Sequence, residues 1–130
     1  MTAWLRAVLG VLGAALLAQG LISWALDASG DASDRIPYRF ANADPRHALI
    51  HVVWGGLIVA LLARGLDHRG CVRVALVFGV FYSALAGLGV ALHHPLGLRL
   101  DGGENVFHLL VGPIVLAVGL VALRAERAFA

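Results

Sequence analysis

The sequence predicts an all-α membrane protein, with four transmembrane helices arranged as two repeated helical hairpins in one bundle. Three observations carry this prediction. Apolar residues make up 60% of the 130-residue chain and charged ones only 14%, where a soluble domain has roughly half and a quarter. The apolar residues fall into four blocks, each near the length of about 20 residues that a spanning helix needs. Two blocks also begin alike: HALIHVVWGGLIVALLAR from His47 and ENVFHLLVGPIVLAVGLV from Glu104 align His51 on His108 and Gly55 on Gly112.

The spans are expected near residues 7–26, 48–63, 72–92 and 106–123, in a single domain covering the whole chain. Arg6 followed by VLGVLGAALLA resembles a signal peptide. The apolar run continues through LISWAL, however, and Trp4 and Trp24 stand twenty residues apart. That is a rise of about 30 Å, the separation of the two aromatic belts at the bilayer surfaces. An uncleaved first span is therefore expected. An acidic outer loop over 27–46 follows, ending in Asp44-Pro45, an N-cap residue and a proline suited to the first helical position. The second span is short and crosses only if its His47 end sits at the interface. RGLDHRGCVR forms a short basic connection. Pro95 is expected to stop the third helix, and the pair Gly102-Gly103 to precede the fourth.

The basic balance, with a pI near 9.3, comes from ten arginines and no lysine. Arginines at helix ends are membrane anchors, and no basic stripe or nucleic-acid motif accompanies them, so nucleic acid is not an expected partner. With the N-terminus inside, six arginines fall on the cytoplasmic side and four outside, which favours both termini in the cytoplasm. Cys71 is the only cysteine and allows no internal disulfide.

Helices two and four repeat clearly. Helices one and three match more weakly, through GVLGAALLAQG and GVFYSALAGLG. Small residues mark the faces where membrane helices pack. On helix one these are Gly10, Ala14 and Ala18, with Gln19 placed to hydrogen-bond across, and on helix three Gly79, Ser83 and Gly87. His47, His51 and Gly55 share one face of helix two. Glu104, His108 and Gly112 repeat that spacing on helix four, with Asn105 adjacent.

Five of the six histidines (His47, His51, His93, His94, His108) map to the outer helix ends. The preferred reading is structural, with His51 and His108 bonding neighbouring helices and the others among headgroups. A second reading makes His51 and His108 ligands of haem or a transition metal, because imidazole binds iron, zinc and copper. His47, Glu104, Asn105, Gly55 and Gly112 would then be supporting or packing residues. A third is proton handling, although helices two to four place no ionisable group deeper in the bilayer. No nucleophile elbow, phosphate-binding loop or calcium loop is found, and the sequence gives no ground for an enzyme.

The block RHALIHVVWGG, with ENVFHLLVG one hairpin later, resembles an uncharacterised family of small bacterial four-helix membrane proteins classed as a domain of unknown function. The family starts helix two with an HNxxH-type motif and helix four with a DNxxH-type motif, each followed by glycine. His47, His51 and Gly55 match the first, and Asn105, His108 and Gly112 the second. Ala48 and Glu104 depart from it. The resemblance implies the four-helix fold and supplies no activity. The expected role is an accessory or scaffold subunit of a membrane complex, or a homo-oligomer, with the lipid bilayer and other membrane subunits or itself as partners. The alternative is a haem- or metal-binding membrane protein using His51 and His108.

Overall fold

The computed structural model describes residues 2–29, 44–92 and 102–128, with side chains for 3–28, 44–92 and 105–128. All four expected helices are present: α1 (Thr2–Ser29), α2 (Pro45–Ala63), α3 (His68–Leu92) and α4 (Gly102–Ala128). Each is long and apolar enough to cross a membrane. Their outer faces carry Val11, Ile22, Val53, Val77, Val90, Ile114 and Val121, all more than half exposed except Ile22 at 50%. A coat of this kind would associate in water and is at home against acyl chains. The chain is a multi-pass membrane protein.

The helices run past the apolar blocks at nearly every end. α1 continues to Ser29 and α2 begins at Pro45, because a helix satisfies its own backbone polar groups as it enters the headgroups. The connection is correspondingly shorter than 27–46. The Gly102-Gly103 pair forms the first turn of α4 instead of preceding it. Pro95 lies outside the described residues. Between α2 and α3, Gly65 adopts φ +80°. Its N–H donates to the Leu62 carbonyl and that of Leu66 to the Leu61 carbonyl, both at 3.1 Å. This is a Schellman termination, and it needs the left-handed conformation glycine provides. Arg6 donates to the carbonyls of Leu62 (2.9 Å) and Leu66, tying α1 to the end of α2 and the turn that follows it.

α1 packs along α2 and α3 along α4, while the two hairpins meet mainly through α1 and α3. Within each hairpin the approach is backbone to backbone. A Cβ at Gly55 would stand 2.5 Å from Leu17 N and 2.6 Å from Gly13 O, and one at Gly112 would stand 2.6 Å from Ser83 N. Gly13 lies against Ile58 and Val59, and Gly79 against Leu116. Gly13 and Leu17 of α1 thus occupy the places of Gly79 and Ser83 of α3, and Val59 that of Leu116. The packing confirms the repeat and sets the α1–α3 equivalence one turn away from the alignment of the two glycine-bearing strings.

The face of α1 expected to pack is also corrected. Gly10 is half-buried beside Leu62, but Ala14 and Ala18 are exposed, and Gly13, Leu16 and Gly20 turn inward. α1 is apolar all round, so hydrophobicity could not choose its face. On α3, Gly79 and Ser83 lie in the packed face, but Gly87 is exposed with nothing near it.

The seam between hairpins is filled differently, by large side chains. Leu5, Leu9, Leu16, Phe78 and Tyr82 are fully buried there. Phe78 stacks on Tyr82 with ring centroids 4.2 Å apart, and Trp54 meets Phe78 edge to face at 5.4 Å. Above this aromatic layer, toward the starts of α2 and α4, lie the histidines.

Candidate metal centre

Asp44 fixes the start of the helix that carries two of the site residues. Its carboxylate accepts from the N–H groups of Arg46 (2.9 Å) and His47 (3.2 Å), and Pro45 takes the first helical position. From that start, His47 and His51 fall one above the other at i, i+4. Asp44→Ala is expected to cost about 1 kcal/mol of stability, the ordinary loss of an N-cap, measurable as a lower unfolding midpoint in mild detergent.

The structure brings together His47, His51 and His108, which are 1%, 3% and 0% exposed. One ring nitrogen from each lies within 4.8 Å of the other two. His47 Nε2 and His108 Nε2 are 3.2 Å apart, across the seam between the hairpins. The His47 ring meets those of His51 and His108 edge to face, with centroids at 4.5 and 5.1 Å. His47, expected at the headgroups, is instead the middle member of the cluster. It lies one helical turn from His51 on the same face, and its ring reaches across the seam to that of His108. His93 and His94 lie outside the described residues.

Gln19 of α1 does hydrogen-bond across, as its position predicted: its Oε1 accepts from His51 Nδ1. With the proton held on Nδ1, His51 Nε2 carries the lone pair. It is buried and has no hydrogen-bond partner among the described residues, as is His108 Nδ1. The Tyr82 hydroxyl is likewise buried without a partner. Its ring lies 5.2 Å from that of His108 and 6.0 Å from that of His51. Buried polar atoms without partners are costly, most of all within a bilayer.

The other expected site residues stand around this cluster. Gly55 and Gly112 lie one turn further in and bring the helix backbones together; they do not line the histidines. Asn105 is half-buried, three residues ahead of His108. The backbone of Glu104 belongs to α4, and its side chain lies outside the described residues. Tyr82 was not foreseen as part of the site. Its only sequence signal is a polar tip on an aromatic within an otherwise apolar helix, which asks for a partner when buried.

The donor set is the kind that holds a first-row transition metal. Imidazole suits zinc, copper, iron and nickel. Two nitrogens bound tetrahedrally to zinc at about 2.0–2.1 Å stand about 3.3 Å apart, close to the His47–His108 separation. A ligand histidine whose second nitrogen is held by a hydrogen bond is also the usual arrangement, and Gln19 supplies that bond for His51. Three protein ligands leave a fourth position for water or a small molecule. Haem fits less well. The His51 and His108 centroids are 6.2 Å apart, but the His47 ring contacts both and takes the space a porphyrin plane would need.

No family model, curated protein or solved structure matches the chain.

Proposed function

We propose that the chain is a membrane protein that binds a first-row transition metal ion, with Zn2+ as the reference ion, through His47, His51 and His108. The observation that carries this reading is the convergence of three buried imidazole nitrogens from two hairpins, one of them oriented by Gln19. The arginine distribution supports both termini in the cytoplasm, and the resemblance to a bacterial family supports a bacterial inner membrane; the site would then lie near the outer face. An accessory-subunit role is a second reading. It is favoured by Gly56 and Gly87, where an added Cβ would meet nothing within 4 Å and a partner helix could approach closely.

The test is metal analysis and titration of full-length protein purified with a tag that contains no histidine. One equivalent of Zn2+ is expected to bind, and Co2+ in its place should give the visible absorption of a tetrahedral site. Binding should weaken as pH falls, because protons compete for the same nitrogens. A Soret band in the purified protein would replace the ion with haem. Substoichiometric binding of Zn2+, Co2+ and copper would overturn the proposal.

A further inference from the structure

The end of the bundle opposite the histidines carries a second constellation. Between the start of α3 and the end of α4 runs a groove of about 360 Å³. Its floor is apolar, formed by Val72, Leu76 and Leu123, and its rim carries Arg69, Arg73 and Arg127. The one acid in the rim, Glu126, is paired with Arg69 at 3.0 Å. Arg73 and Arg127 make no ion pair or hydrogen bond with the described residues, so the rim keeps an excess of two positive charges. Further along the same helices the exposed residues Val77, Val80 and Val121 are apolar.

We propose that this groove binds an anionic phospholipid. The phosphodiester sits against Arg73 and Arg127, and one acyl chain follows Leu76 and Leu123 toward the membrane centre. Three physical arguments select this occupant. Guanidinium groups hold phosphate oxygens in a fixed fork. Basic pockets between transmembrane helices, at the level of the headgroups, are where anionic lipids are recognised. An apolar floor continuous with a charged rim matches a molecule with both parts, whereas a free phosphate would use only the rim. The Arg69–Glu126 pair links α3 to α4 at the rim and compensates the one carboxylate among the lining residues.

The experiment is native mass spectrometry of the full-length protein from mixed micelles containing equal amounts of phosphatidylglycerol and phosphatidylcholine. Wild type is expected to retain one phosphatidylglycerol with a preference of about tenfold over phosphatidylcholine. The Arg73→Gln/Arg127→Gln variant should lose that preference. Arg64→Gln/Arg124→Gln, with the same charge change at the same end but outside the groove, should keep it. Unfolding midpoints of both variants serve as the folding control, and wild-type selectivity is read independently of either. No selectivity in wild type, or equal loss in both variants, would overturn the proposal in favour of plain interfacial anchoring. Displacement of the lipid by millimolar inorganic phosphate would overturn it in favour of a free-anion site.

Discussion

Replacing His51 by alanine is expected to lower Zn2+ affinity by more than about a hundredfold, and replacing Gln19 by alanine by about 10–100-fold. The ordering follows from the contacts. His51 offers a lone pair on Nε2, and its loss leaves two protein ligands. Gln19 does not reach the ion; its oxygen holds the proton on Nδ1 and the ring in place. Gln19→Glu, which keeps an acceptor oxygen, should therefore restore most of what Gln19→Ala loses. Gln19→Leu, with similar bulk and no acceptor, should not. Competition with a chelating dye measures all four variants, and helical content checks that each is folded. Should His51→Ala bind like wild type, the three nitrogens are a packing motif. Should Gln19→Ala alone do so, the cross-helix bond is structural and has no part in ligand orientation.

The second large effect concerns neighbouring glycines on α2. Gly55→Ala would push a methyl group to 2.5 Å from Leu17 N and 2.9 Å from Leu17 Cα. Those are backbone atoms, and they move only if α1 and α2 separate. The expected cost is about 2 kcal/mol or more, in the range of core overpacking. Gly56→Ala meets nothing within 4 Å and should be neutral or slightly stabilising, since alanine is the better helix former by about 0.5–1 kcal/mol. Gly112→Ala, 2.6 Å from Ser83 N, should behave like Gly55→Ala. Unfolding in mixed micelles at graded sodium dodecyl sulfate reads all three. Equal stability of the two α2 variants would contradict the backbone contact between α1 and α2.

The fold was legible because membrane-length apolar blocks have few alternatives, and because Asp44-Pro45 announces a helix start through cap chemistry alone. The repeat of α2 and α4 was equally visible, since a histidine and a glycine one turn apart in an apolar run stand out. The faces of α1 were not. Gly10, Ala14 and Ala18 form a more regular small-residue stripe than the inward set Gly13, Leu16 and Gly20, and only the partner helix distinguishes them. At the site, His51, His108 and Gln19 could be read from position. The place of His47 could not, because its contact with His108 depends on how the two hairpins dock. Tyr82 was hidden for a similar reason: its proximity to the histidines is a product of hairpin docking, which no local pattern encodes.

The contrast between glycine-tight hairpins and a seam filled by bulky side chains bears on how the molecule is assembled during synthesis. α1 and α2 emerge first and carry in themselves everything their close contact requires, including the bond from His51 to Gln19. His108 arrives only with the last helix. The three imidazoles therefore meet only when the second hairpin has inserted and docked against the first, so any ion held by all three marks a docked pair of hairpins. Before that, only two of the three, His47 and His51, are in place.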